Sequence, residues 1–145
     1  VRTGVILRDI EDANTLFNDA MMYKKSFSKE NRITAIKRLE KLMATYPDSD
    51  KVGDAAFEIA EIYAGSYFHD YESAAKYYIK SYQLNPYIKR PALLRAAETY
   101  DKMLADHERA KAIYQQAALY SPDAKSRKKA QARLSVLEQG TAGKK

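Results

Sequence analysis

The side chains that could perform catalysis are few, and the two histidines come first. His69 and His107 lie 38 residues apart, each beside an acidic residue, Asp70 and Glu108. A catalytic site needs a base, a nucleophile and an orienting acid that converge on one pocket. The two histidines instead occupy similar turns before helical segments, and neither has the His-x3-His spacing of a metal site. We interpret both as turn residues.

Acid–base chemistry could also come from carboxylate pairs, of which Glu58/Glu61 and Glu98/Asp101 are the candidates. A spacing of three residues places both carboxylates of a pair on one helix face, which is typical of a solvated surface. The sequence contains no cysteine and no glycine-rich phosphate loop. It therefore predicts a protein that is not an enzyme and has neither a cofactor nor a metal site.

Positive charge is concentrated at the carboxyl end of the chain. The net charge is +6, and the segment 123–145 carries seven cations against two carboxylates. The predicted basic patch consists of Lys125, Arg127, Lys128, Lys129 and Arg133. Such clustering suits phosphate binding, but it also keeps a terminal helix soluble. Because no aromatic residue follows Asp123, we favour solubility and disfavour a nucleic acid or a membrane surface as partner.

Length and composition predict one soluble domain, since 145 residues with 46% hydrophobic and 30% charged residues can bury a core. The longest stretch without charge, 112–122, is far shorter than the ~18 apolar residues of a membrane helix. The chain begins with Val1 rather than Met, so we expect that a segment was removed from its front.

Helical periodicity and repeated punctuation dominate the chain. Small and aromatic residues recur at intervals of three and four, as in Ala56, Ile59, Ala60 and Tyr63. Candidate helix starts follow Ser49-Asp50, Asp70, Asp106 and Ser121-Pro122-Asp123. Three prolines, Pro47, Pro86 and Pro122, follow tyrosine-bearing apolar segments at spacings of 39 and 36 residues. A period of this length is typical of repeat proteins.

The repeating residues resemble the tetratricopeptide repeat, whose pattern is W-x2-L-G-x2-Y, then A-x3-F, then P. The second copy reads Ala56-x2-Ile59-Ala60-x2-Tyr63, Ala74-x3-Tyr78, Pro86. The third reads Leu93-x2-Ala96-Ala97-x2-Tyr100, Ala110-x3-Tyr114, Pro122, and the weaker first reads Leu16-x2-Asp19-Ala20-x2-Tyr23, Ala35-x3-Leu39, Pro47. Most of the tyrosines would then be packing residues, and Tyr67, Phe68 and Tyr71 would plug the second turn.

The resemblance implies an all-α fold, an α-solenoid of three helix–turn–helix repeats followed by a capping helix. The repeats would span 13–47, 53–86 and 90–122, and the capping helix 123–139, within a single domain 1–139. Residues 140–145 would be a disordered tail. An apolar patch at Val5, Ile6, Leu7 and Ile10 would either extend the first helix or contact removed sequence.

In this family the first helix of each repeat lines a concave groove that holds a partner peptide or helix. Alignment on the tyrosines places Phe17, Phe57 and Leu94 in one column of an apolar stripe. Its flanking groove residues are Met21, Lys24, Asp54, Glu61, Glu98 and Asp101. The acids would suit a partner segment with basic residues. The alternative, in which the three apolar residues are ordinary contacts between helices, stays open.

Two subtypes of the family can be compared. The carboxylate-clamp repeats of co-chaperones need Lys and Asn where this chain has Phe17 and Met21, so an acidic chaperone terminus is disfavoured. The junction Tyr46-Pro47-Asp48-Ser49 is similar to repeats of bacterial cell-envelope proteins, which implies a periplasmic or envelope location, with the cytoplasm as the alternative.

The predicted function is a protein-interaction scaffold or adaptor that binds another protein in its groove. Two alternatives remain. The basic last helix would bind an anionic surface, or the repeats would assemble a homo-oligomer through their ends.

Overall fold

The computed structural model describes residues 6–142, of which 141 and 142 are described by backbone only. Within that range the chain is all-helical, with no strand, as the periodicity predicts. The seven α-helices are α1 (Glu11–Lys24), α2 (Lys29–Thr45), α3 (Val52–Ala64), α4 (Tyr71–Leu84), α5 (Ala92–Glu98), α6 (His107–Tyr120) and α7 (Ala124–Ala142). None of these helices is long and apolar enough to cross a bilayer.

Side-chain caps begin four of the helices. Ser28, Asp70 and Asp106 accept hydrogen bonds from the backbone N–H three residues later, at the starts of α2, α4 and α6. Asp123 does the same for Ser126 at 2.8 Å, at the start of α7. Each cap stabilises its helix by about 1 kcal/mol. The predicted starts at Asp70, Asp106 and Asp123 are confirmed, whereas α3 begins at Val52, after Lys51, without a side-chain cap from Ser49 or Asp50.

Each helix packs against the next one along the chain, from α1 on α2 through α6 on α7. Alanines at the repeated small positions are fully buried where the helices meet: Ala20, Ala35, Ala60, Ala74, Ala97 and Ala110. At Gly53 the approach is closer still, because the Ser81 hydroxyl of α4 donates to the Gly53 carbonyl of α3 at 2.7 Å. Small side chains therefore determine how closely consecutive helices approach.

The core is a series of three apolar clusters that follow the chain. The first joins α1, α2 and α3, the second joins α3, α4 and α5, and the third runs from α4 to α7. Tyr78, Tyr100 and Tyr114 are buried in them, as predicted. Phe68 packs on the first cluster and meets the Tyr63 ring edge-on at 5.8 Å, which confirms its predicted role under the second turn.

A π-helical segment, Thr99–Met103, interrupts the helix that α5 begins. Its wide turn is closed by a hydrogen bond from the Leu104 N–H to the Thr99 carbonyl at 3.1 Å. Nothing in the periodicity predicts this segment. It is relevant to the site because π-turns rotate the side chains that follow.

The two ends of the described chain differ from expectation. Residues 6–10 do not extend α1, and the side chain of Ile6 is 81% exposed. Arg8 forms a two-hydrogen-bond bridge with the backbone of Asp48 and Asp50, while Leu7 and Ile10 pack on the first cluster. Helix α7 continues to Ala142, past the predicted end at 139. Val5 and the predicted tail at 143–145 lie outside the described residues.

Candidate interaction groove between the fifth and seventh helices

Two adjoining cavities, of about 460 and 290 Å³, lie between α5 and α7. Leu94, Glu98 and Lys129 line both, so the cavities form one continuous depression. We call it the α5–α7 groove. Apolar contacts come from Leu94 at its floor and from Ala132 and Val136 on α7.

Helical spacing explains how the groove is built. On α7, Ala130 and Leu134 are buried in the third cluster and anchor the helix to its neighbours. Lys125, Lys129 and Val136 recur on another face at intervals of four and seven residues, which aligns them along the groove. One helix thus supplies both an anchoring face and a lining face.

A buried carboxylate holds α7 at this position. Arg133 donates to both carboxylate oxygens of Asp101, Nε at 2.7 Å and Nη2 at 3.1 Å, while the Tyr114 hydroxyl donates at 2.9 Å. The Asp101 side chain is 1% exposed, and His107 Nε2 lies 3.6 Å away. Burial raises the pKa of Asp101, but the hydrogen bonds from Arg133 and Tyr114 outweigh it, and the pKa falls below its usual value.

The charge of the groove is strongly positive. Six cations line it, Lys89, Arg95, Lys102, Lys125, Lys129 and Arg133, against the two carboxylates of Glu98 and Asp123. Arg133 is paired with Asp101, and Asp123 caps α7. In residues 6–142, the exposed amines of Lys89, Lys102, Lys125 and Lys129 form no ion pair.

The predicted apolar stripe is not an exposed surface. Phe57 is 4% exposed, with Tyr78 edge-on at 5.1 Å and the Arg90 guanidinium 4.9 Å from its ring centre. Leu94 is 6% exposed and Phe17 is half-buried on the first cluster. These side chains face the neighbouring helices. Phe17 and Phe57 therefore form ordinary contacts between helices, which was the alternative interpretation of the stripe. Leu94 alone combines a core position with the groove floor.

Three of the predicted groove acids are neutralised within the chain. Glu61 accepts the Tyr78 hydroxyl and lies 3.4 Å from Arg95, Asp54 lies 3.6 Å from Arg90, and Asp101 is held by Arg133. Burial raises the pKa of Asp54 although Arg90 opposes this shift. Of the four acids that suggested a partner with basic residues, Glu98 is the one that forms no ion pair within residues 6–142.

The carboxylate pairs are not fully solvated either. Glu58 is 5% exposed and forms ion pairs with Lys24 and with Arg90 Nη1, the latter at 2.5 Å. Lys24 was predicted to be a groove residue. Met21 packs half-buried on the first cluster. Of the predicted groove set, Leu94 and Glu98 line the α5–α7 groove.

The predicted basic patch divides into separate roles. Lys125 and Lys129 line the groove, Arg133 binds Asp101, and Arg127 donates to the carbonyls of Ser121 and Pro122 at 2.7 and 3.0 Å. Lys128 is exposed outside the groove. Two of the five cations are thus engaged by the protein itself.

Sequence reasoning missed Lys89, Arg95, Lys102 and Val136 as groove residues. Lys102 lies eight residues after Leu94, an interval that places residues on one helix face, which could have drawn attention to it. The described residues hold no cluster of acidic, histidine or cysteine side chains arranged for a metal ion. Compared with models of protein families and with curated proteins, the chain matches neither.

Proposed function

We propose that the protein is a non-enzymatic interaction scaffold built of tetratricopeptide-like helical repeats, and that a segment of a partner protein lies in the α5–α7 groove. The observation that carries the proposal is the groove itself. It is open, it has an apolar floor at Leu94 and an exposed apolar side chain at Val136, and charged residues surround both. Protein partners are recognised by such apolar anchors within a polar rim.

The repeat architecture is supported by the pairing of consecutive helices. Helices α1 and α2, α3 and α4, and α5 and α6 correspond to the three copies of the sequence pattern, with α7 after them. Buried alanines recur at the same pattern positions in each pair. A rigid scaffold of this kind holds a partner on surfaces assembled from successive units.

Site-specific cross-linking tests the location of the partner. A photoreactive amino acid at position 136 is expected to capture a partner from a lysate of the source cells, whereas one at position 119 is not. Leu119 is a matched control because it is also an exposed aliphatic residue on a helix, 69% exposed against 52% for Val136.

The captured protein is then purified and its affinity measured directly. Val136→Ser should weaken binding about tenfold, since loss of one buried aliphatic contact costs roughly 1–2 kcal/mol, while Leu119→Ser should not. Equal effects of the two substitutions would refute the proposal that the partner binds in the α5–α7 groove. A dimer in sedimentation velocity that Val136→Ser disrupts would point to self-assembly instead.

A further inference from the structure

We propose that the α5–α7 groove selects an acidic partner segment that carries aliphatic side chains. This inference rests on the proposed function, which it makes specific. It reverses the charge expected from the sequence, because the acids near the groove other than Glu98 are paired or cap a helix, whereas four lysine amines form no ion pair within residues 6–142.

Free positive charge lies on both walls of the groove. Lys89 precedes α5 and Lys102 follows it, while Lys125 and Lys129 stand on α7. All four amines are exposed and form no ion pair within residues 6–142. Like charges that face each other across a narrow depression repel, and an acidic ligand between them removes that repulsion.

Carboxylates that could compete with a ligand are already engaged. Asp101 is bound by Arg133 and Tyr114, and Asp123 caps α7. Glu98 is the remaining carboxylate of the lining, opposed by the four amines. The field that an approaching segment meets is therefore positive.

The apolar floor favours a peptide over other polyanions. Leu94, Ala132 and Val136 contact the same space as Lys129. A nucleic acid would gain from stacking aromatics, and the groove offers only the buried Tyr114. A partner peptide with aliphatic side chains between its carboxylates would contact the apolar floor and pair with the lysines of the rim.

Spacing along α7 defines a suitable probe. Lys125 and Lys129 are one turn apart, about 6 Å along the axis, and Lys125 to Val136 spans about 16 Å. A helix with Glu at positions four apart places carboxylates at the same interval. The probe is a fluorescein-labelled peptide of four Glu-Leu-Ala-Glu units, compared with Lys-Leu-Ala-Lys and Glu-Ser-Ala-Glu peptides of equal length.

Fluorescence anisotropy measures the three affinities in low and physiological salt. We expect the Glu-Leu peptide to bind most tightly, the Glu-Ser peptide more weakly and the Lys-Leu peptide not at all. The double variant K125E/K129E should lose at least about tenfold for the Glu-Leu peptide, since two attractions become repulsions. The matched control K76E/K128E changes the same charge at exposed lysines outside the groove and should retain the affinity.

Other results would overturn the inference in distinguishable ways. Equal binding of the Glu-Leu and Lys-Leu peptides, with shifts of the Val136 methyl resonances, would refute the acidic preference and leave the groove function standing. Equal losses in the two double variants would show non-specific attraction. Binding of duplex DNA or phosphatidylserine vesicles more tightly than any peptide at physiological salt would favour a polyanion. Failure of every peptide to shift the Val136 and Ala132 methyl resonances of the unaltered protein would refute the acidic and aliphatic preference, and the comparison of positions 136 and 119 would then decide the groove function separately.

Discussion

Asp101 is a buried carboxylate whose removal should loosen the wall of the groove. It accepts hydrogen bonds from Tyr114 on α6 and from Arg133 on α7, so it links the π-helical segment to both helices. Asp101→Ala deletes the shared acceptor and leaves both donors in place.

The loss of stability caused by Asp101→Ala follows from the exposure of the two donors, Tyr114 and Arg133. Tyr114 is 1% exposed, so its hydroxyl would lose its partner without access to water, at a cost of about 1–2 kcal/mol. The Arg133 side chain is 38% exposed and would be partly resolvated, which limits its loss to about 1 kcal/mol. Asp101→Ala should therefore lower the free energy of unfolding by about 2–3 kcal/mol, and the melting temperature by about 5–10 °C.

Urea unfolding followed by circular dichroism measures this difference at pH 7. Asp19→Ala is the control, because Asp19 and its partner Arg38 are each about 40% exposed and their pair should contribute at most about 1 kcal/mol. Hydrogen exchange at the Leu104 amide, which closes the π-turn, should accelerate in Asp101→Ala alone. A loss below about 0.5 kcal/mol, equal to that of the control, would refute this account of the network.

The pH dependence carries a sign that can be checked in the same experiment. Because the pKa of Asp101 is lowered in the folded state, its contribution is present above the unfolded pKa of about 4. It is lost as the pH falls through the folded pKa. The stability gap between the unaltered protein and Asp101→Asn should narrow as the pH falls below about 4. A gap that widens in acid would contradict the lowered pKa.

Three further predictions follow from the packing. Gly53→Ala should lower the free energy of unfolding in urea by about 1 kcal/mol, because the new Cβ would lie 2.8 Å from the Asn85 Cβ. This overpacking exceeds the gain in helix propensity. Gly140→Ala is the control and should not destabilise the protein, since nothing lies within 4 Å of its Cβ. Phe57→Ala should cost about 3–5 kcal/mol by the same measurement, whereas a groove side chain would cost little. Burial and the hydrogen bond to Glu61 raise the pKa of Tyr78 in the folded state. The free energy of unfolding should therefore fall above about pH 10, where tyrosine ionises in the unfolded chain, and it should fall less in Tyr78→Phe. An identical alkaline decline in the two proteins would refute the raised pKa.

Local features of the fold were predictable because they depend on neighbours in the chain. Helix periodicity and the caps at Asp70, Asp106 and Asp123 involve residues three or four apart. The buried alanines were predictable for a related reason, since a repeated small residue marks a repeated close approach. The π-helical segment was not predictable, because no feature of the residue spacing marks it; in the fold its Asp101 contacts Tyr114 on α6 and Arg133 on α7.

The candidate site depended on contacts that the chain order does not reveal. Asp101 and Arg133 are 32 residues apart, and Lys24 and Glu58 are 34 apart. Because the sequence does not reveal these pairings, it suggested that the acids were free and that the cations of 125–133 formed one patch. The partner charge expected from the sequence is therefore opposite to the one that we propose for the α5–α7 groove.

The amino-acid sequence by itself determined that this protein is helical, where three of its seven described helices begin and which small residues let them pack. Those properties arise from hydrogen bonds and side-chain spacing within one or two turns of a helix. Only the tertiary structure decided which residues outside the repeated pattern are covered by neighbouring helices and which charges remain unpaired. Phe57 and Leu94 occupy equivalent pattern positions, but the rotation and neighbours of each helix bury the first beneath Arg90 and bring the second to a groove lined by lysines.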